Sequence, residues 1–245
     1  MRLTAMLSGW AVLLGRSFAL PWDVVRTWPR FLDQLFRHGV SAIPIIALAA
    51  VFVGLTTAVQ TSYQLLGIVP KYFVGMGVGR MLLIELAPVF AGFVVAGRSA
   101  SAIAAELAAM RVSEQIDALK VMAIDPYRFL CLPRILATAA ALPVLVVLME
   151  VVATAVALVA ASVLGVSTAT FTYGFTRFVM MRDFWGGIAK SLLFGLAIGA
   201  SGCYYGFSAA GGTEEVGRAA TKAVVTSATL ILLFDFLTAI AVFGR

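Results

Sequence analysis

The chain has 245 residues, of which 62% are hydrophobic and 12% charged, with a mean hydropathy of +1.01. A soluble domain carries about 25% charged residues, and this surplus of apolar side chains cannot be hidden in one soluble core. A water-soluble enzyme, a disordered chain and a fibrous protein are excluded, which leaves an all-α polytopic membrane protein. The formal net charge of +6 then places lysines and arginines at a membrane surface rather than on nucleic acid.

The first 37 residues read as an interfacial amphipathic helix. Leu3, Met6, Leu7, Trp10, Leu13, Leu14 and Phe18 recur at helical spacing, while Arg2, Ser8 and Arg16 interrupt the other face. A cleaved leader is the competing reading, but Arg16 closes the apolar stretch early and Ser17 to Leu20 offers no small-x-small cleavage site. Trp22, Trp28 and Phe31 suit an interfacial depth. Residues 38–245 form the five-span part.

A spanning helix needs about 20 mostly apolar residues. The first runs from Val40 to Tyr63, with no charge between Arg37 and Lys71. Gly75, Gly77 and Gly79 follow, and read as a flexible loop on the outer side. The second span, Met81 to Gly97, contains Glu85. The stretch 98–134 is too charged to span. Ile103, Leu107 and Met110 share one helical face and Ile116, Leu119 and Met122 another, with a break near Val112-Ser113 where Ser113 suits an N-cap. Arg111, Glu114, Asp117 and Lys120 make a mixed-charge face, and Asp125-Pro126 ends the helix. Such a helix either docks into a partner's groove or rests on its own bundle; spacing alone leaves both open.

The third span, Ile135 to Leu164, contains Glu150. The fourth, Ile188 to Ser208, carries Gly195, Gly199, Gly202 and Gly206 on one stripe, made for close approach of a helix from the same chain or a second copy. The loop after it, residues 209–218, has the glycine spacing of a phosphate loop but places Gly212 where the lysine belongs. The fifth, Ala223 to Phe243, contains Asp235. Glu85, Glu150 and Asp235 are costly in a bilayer and face a cavity, a proton pathway or a structural partner; no basic residue within a span offers itself. With the N-terminus inside, 12 of the 18 lysines and arginines fall on the inner side, which predicts a cytoplasmic N-terminus and an outer C-terminus.

Catalytic constellations are missing. His38 is the single histidine, so neither a metal cluster nor a histidine triad assembles within one chain, and Cys131 and Cys203 lack paired spacing. No catalytic residue and no cofactor bound by this chain is expected.

The ordered set Glu85-Leu86-Ala87-Pro88, Ala96-Gly97-Arg98, Ala105-Glu106-Leu107, Met110, Glu114 to Leu119, Asp125-Pro126, Pro133-Arg134 and Gly212 to Ala219 with Ala223-Val224-Val225 resembles the MlaE/YrbE permease family. The resemblance covers residues 51–243. It implies a homodimeric, non-catalytic ABC transporter permease of the bacterial inner membrane, with its C-terminus periplasmic. ATP would be used by a separate cytoplasmic ATPase pair, and an MCE-domain protein would receive or deliver lipids, typically phospholipids. The segment between spans two and three would be the coupling helix, with Glu106, Arg111, Glu114, Asp117 and Lys120 toward the ATPase. The lipid cavity between two copies would be lined by Leu55, Val59, Gln60 and Tyr63 of span one and Glu85, Leu86 and Val89 of span two. Ile84 stands where the family often has arginine, so Glu85 is expected to lack a basic neighbour; Ala87, Ala100 and Ala108 stand where glycines are common, and Ala220 where threonine is. The alternative is an ion- or proton-coupled secondary carrier of an apolar substrate using the three carboxylates, for which inverted repeats would be the sign; none is visible.

Overall fold

A computed structural model describes residues 28–65 and 67–243, with residues 13 and 15. Most of the expected interfacial segment 1–37 therefore lies outside the described residues. Its last part belongs to α1, Trp28–His38, which opens with Pro29 in its first turn, where a missing N–H costs nothing. Trp28, Leu32 and Phe36 are exposed, and so are Arg30, Asp33 and Arg37, whereas Gln34 and His38 are buried and joined by a 3.2 Å hydrogen bond. An outward face that mixes aromatic and charged side chains suits a membrane–water interface.

A short 3-10 turn, Val40–Ala42, leads to α2, Ile43–Leu65. Next come α3 (Tyr72–Met81), a π-helical turn at Leu82–Leu86, α4 (Ala87–Val95), a second π-turn at Ala96–Ala100 and α5 (Ser101–Val112). The short α6 (Gln115–Val121), a third π-turn (Tyr127–Cys131) and the long α7 (Leu132–Val163) follow. The chain closes with α8 (Thr168–Phe178), α9 (Met181–Phe207) and α10 (Thr213–Phe243). Five continuous helical stretches are long and apolar enough to cross a membrane: Trp28–Leu65, Tyr72–Val112, Tyr127–Val163, Met181–Phe207 and Thr213–Ala241. No strand occurs among the described residues.

Each stretch is longer than its apolar core suggested, because hydropathy marks only the part within hydrocarbon. The glycine-rich piece after span one is the clearest case. Gly75 and Gly79 belong to α3 and let it lie against α8: a Cβ at Gly75 would strike the carbonyl of Phe171, and one at Gly79 would come 2.6 Å from Val179. Gly174 returns the contact against the Tyr72 carbonyl. The expected flexible loop is thus a tightly packed helix pair, with Tyr72 and Phe178 stacked at 5.7 Å. Ser167 caps α8, accepting from the Thr170 amide at 3.3 Å, and the expectations had no helix there.

The chain divides into two compact units. One holds the described residues up to Ala42, Gly92–Leu142 and Leu192–Phe234; the other holds Ile43–Ala91, Pro143–Ser191 and the described residues from Asp235. In the first, the glycine stripe of α9 meets its own chain. A Cβ at Gly195 would lie 2.5 Å from the Thr138 carbonyl, at Gly199 2.7 Å from Ile135 Cα, at Gly202 2.9 Å from Ile103 Cβ and at Gly206 2.5 Å from Leu107 Cβ. The stripe therefore seats α7 on two residues and α5 on the other two, which resolves the choice left open by the spacing. In the second unit, Gly54 of α2 packs in the same manner on the Ala153 carbonyl of α7.

Candidate functional site

Two arrangements carry the polar chemistry, one in each unit. In the second unit, the π-turn Leu82–Leu86 sets Glu85. Pro88 has no N–H to give the Ile84 carbonyl, and the Ala87 amide bonds instead to Leu82, five residues back. That extra residue in the turn faces Glu85 toward α9. There Lys190 Nζ donates to Glu85 Oε1 and to Asp235 Oδ1, both at 2.8 Å. The lysine side chain is 1% exposed, Asp235 20% and Glu85 40%.

This corrects two expectations. Glu85 has a basic neighbour, and two of the three intramembrane carboxylates share one intramembrane cation. Lys190 lies inside the predicted fourth span, Ile188 to Ser208, where no basic partner was expected; a lone lysine in an apolar helix is the signal that points to it. The basic partner of Glu85 comes from 105 residues along the chain. Because Lys190 is fully covered, an anionic group meets the half-exposed Glu85 before it meets the ammonium. The cluster therefore presents a hydrogen-bonding carboxylate, not an open cationic seat.

The predicted cavity residues all lie in this unit. Leu55 and Val59 are exposed, and with Ala155, Val156, Val159 and Val163 they line an apolar groove of about 560 Å³. Gln60 is exposed and Tyr63 is 87% exposed, near the end of α2. Glu85, Leu86 and Val89 are half-buried. The wall is thus apolar with few polar points, a surface suited to hydrocarbon.

Arg80 and Asp183 close one end of the same unit. Asp183 Oδ2 accepts from the Met180 amide at 3.0 Å, reaching back over the first turn of α9, and lies 3.4 Å from Arg80.

In the first unit, the expected segment 98–134 is mostly taken up by its neighbours: the second stretch continues through Val112 and the third starts at Tyr127, which leaves the short α6 between them. α5 ends when Glu114 turns left-handed at φ 59°, and Ala123 does so again at φ 58°. At the second corner the Ile124 amide bonds to the Leu119 carbonyl and the Ala123 amide to that of Lys120, each at 3.0 Å. This paired closure normally uses glycine at the left-handed position. Ser113, the expected N-cap, instead donates its hydroxyl to the Ala109 carbonyl at 2.8 Å and finishes α5. Asp125 opens the next helix rather than ending α6: its carboxylate accepts from the Tyr127 amide at 2.9 Å.

α6 rests on the bundle through Ile116, which is buried with Ile103, Leu107 and Cys131, and through Leu119 beside them. Its outer side carries Asp117, which accepts from Lys120 at 2.7 Å and Arg111 at 3.0 Å. The Lys120 ammonium, with Arg111 behind it, holds the Asp117 carboxyl below its ordinary range. Glu114 is exposed beside them, and Val121 and Met122 form an exposed apolar tip. Glu106 lies apart from this face: it pairs with Arg134 at 3.1 Å and Arg37 at 3.6 Å. Among the described residues no cluster of side chains suited to a metal exists.

The sequence matches the Permease MlaE family over residues 31–241. A probable ABC transporter permease protein of Rickettsia conorii is 33% identical over 226 residues, covering 90% of this chain and 87% of that protein. A probable ABC transporter permease protein of Synechocystis is 35% identical over 206 residues, covering 84% and 78%. The intermembrane phospholipid transport system permease protein MlaE of Haemophilus influenzae is 28% identical over 239 residues, covering 95% and 90%. Five apolar membrane-spanning helices, an intramembrane charge cluster and a match along nearly the whole described chain make this protein a member of the MlaE family of ABC transporter permeases.

Proposed function

We propose that this chain is the membrane subunit of a lipid transporter that moves phospholipids between the inner membrane and the cell envelope. The observation that carries the reading is an apolar groove lined by exposed Leu55 and Val59, in the same unit as a carboxylate, Glu85, anchored by the covered Lys190. Acyl chains match the wall, and a lipid's polar part matches the carboxylate. The name of the Haemophilus relative, a phospholipid transport permease, supports the same substrate class.

Two copies of the chain enclose the cavity in this reading. α10 supports it: only 17% of its apolar window is buried, and Leu232, Leu233, Phe236 and Leu237 are exposed, so much of that helix is left for lipid or another protein. A cytoplasmic ATPase pair docks on α6, with Arg111, Glu114, Asp117 and Lys120 at the contact and Glu106 bracing the helix behind it. Closure of the ATPases brings the two α6 helices together, narrows the cavity and passes a lipid to or from an MCE-domain protein on the outer side. The inner-face lysine and arginine bias, stronger once Lys190 is placed in the bilayer, sets the N-terminus in the cytoplasm.

The test is purification of the chain with its co-eluting ATPase, lipid identification by mass spectrometry, and ATP-driven transfer of labelled phospholipid between vesicles. Bound phospholipid and ATP-dependent transfer are expected, and the double reversal Glu114→Lys with Asp117→Lys should abolish ATPase co-elution and transfer while leaving phospholipid bound. Transfer driven by a proton gradient without any ATPase would favour the secondary-carrier reading instead.

A further inference from the structure

One carboxyl plays no part in either arrangement. Glu150 sits in the middle of α7, 5% exposed, and its Oε1 has no hydrogen-bond partner. Buried polar atoms are almost always paired, so an exception marks a place for a missing partner. Glu150 lines a cavity of about 620 Å³ in the second unit, walled by Leu83, Val151, Thr154, Phe171, Phe175 and Phe184. That volume falls in the range of about 300–1,000 Å³ typical of single small-ligand sites. Gly187 leaves the carboxyl its room: a Cβ there would lie 3.4 Å from Glu150 Oε1. Thr176, another wall residue, has its hydroxyl already committed to the Thr172 carbonyl at 2.8 Å. The cavity is therefore hydrocarbon-like, with the unpartnered Glu150 and the hydroxyls of Thr154 and Thr172 as its polar points.

Depth and lining decide what that carboxyl meets. Glu150 is roughly 20 Å along the helix from its Val163 end, at 1.5 Å per residue. Among the described residues the wall has no lysine or arginine to meet a charged head group, whereas an uncharged hydroxyl needs none. Oε1 needs a donor, and the walls need an apolar body. We infer that this cavity binds a neutral lipid through its free hydroxyl, which donates to Glu150 while the acyl chain lies along the phenylalanines. Diacylglycerols and long-chain alcohols share this chemistry. The site uses neither Glu85 nor a second copy of the chain, and it does not depend on the transport reading.

The full chain, purified with whatever proteins accompany it, is placed in phosphatidylcholine vesicles carrying photoactivatable probes: a diacylglycerol, a long-chain alcohol, and the O-methyl ether of each. At least one hydroxyl probe should label the segment Phe171–Phe184 about fivefold more than its ether, the ratio one net hydrogen bond supplies. Which probe does so tells whether two chains fit or one. Glu150→Gln, which still accepts, should keep the preference, and Glu150→Leu should abolish it. Should Glu150→Leu fail to fold, Thr154→Phe, which fills the cavity from its wall, should remove the labelling. Equal labelling by hydroxyl and ether, a preference that survives Glu150→Leu, labelling that survives Thr154→Phe, or cross-linking of the cavity wall to another polypeptide in place of lipid would each overturn the inference. No ATPase activity is read, so a failed transport assay and a failed binding assay are separate results.

Discussion

Glu85 and Glu150 are both glutamates in apolar helices of the same unit, and the fold handles them in opposite ways. Glu85 is half-exposed, lies in a π-turn and shares Lys190 with Asp235 at 2.8 Å. Glu150 is buried within a regular helix and its Oε1 is unpartnered. The difference lies in what surrounds each one. A buried ammonium needs carboxylates, so Lys190 draws in two of them and fixes three helices at one point. A carboxyl beside a glycine and a phenylalanine-lined cavity has no such claim on it. Membrane carboxylates are thus not one class: one kind is bound into the scaffold and the other is left open.

The largest effect should come from removing the shared cation. Lys190→Met leaves Glu85 and Asp235 facing each other without compensation, and breaking a buried pair from one side costs about 3–5 kcal/mol. Thermal unfolding in detergent should show it. Adding Glu85→Gln and Asp235→Asn should recover most of the loss, since neutral partners no longer need the ammonium. An unchanged melting temperature for Lys190→Met would break the distinction between the two glutamates. Next in size is Gly187→Ala, whose Cβ strikes the Leu83 carbonyl. Overpacking of this kind costs about 1–3 kcal/mol. Gly217→Ala is the control: nothing lies within 4 Å of its Cβ position, so it should be neutral or slightly stabilising. Smaller again, and opposite in sign, is Glu150→Leu. Removing a buried group with an unpaired oxygen should leave stability unchanged or raise it by about 1 kcal/mol, whereas Glu85→Leu, which strips Lys190 of a partner, should lower it.

The five spans were legible in the sequence because hydrocarbon thickness imposes an apolar length. Their ends were not, since helices continue beyond the apolar window wherever packing holds them, as α3 does through Gly75 and Gly79. The glycine stripe of α9 was readable as a contact surface, but its partner was not. Small residues record close approach without recording what approaches. Lys190 was visible but its partners were not, because the pairing that makes a lysine tolerable in a bilayer joins residues 105 and 45 positions apart. Glu150 was visible too, but its cavity depends on α8, which charge and hydropathy patterns left as loop. The break near Val112-Ser113 and the stop near Asp125-Pro126 were legible, but the left-handed conformations at Glu114 and Ala123 were not: neither is the glycine or asparagine that such corners favour.

The smallest effect on stability belongs to a carboxylate outside the bilayer, and it completes the comparison. Asp117 has two cations, as Glu85 and Asp235 together have one, yet water surrounds it and the pairs are screened. Asp117→Asn should therefore leave the melting temperature where it is. In the proposed function its effect belongs to docking. The carboxyl is held below its ordinary range by Lys120 and Arg111, so its charge and its contacts are complete above the ordinary carboxylate range. They fade only as the pH falls through that lowered value. Association with the ATPase, measured by co-elution, should then hold through neutral and mildly acidic pH, and rising salt should weaken it. Asp117→Asn should weaken it at every pH. Co-elution that weakens already near the ordinary aspartate range would show that another group carries the contact. Co-elution indifferent to Asp117 at low salt would show that α6 rests on its own bundle and touches nothing beyond it.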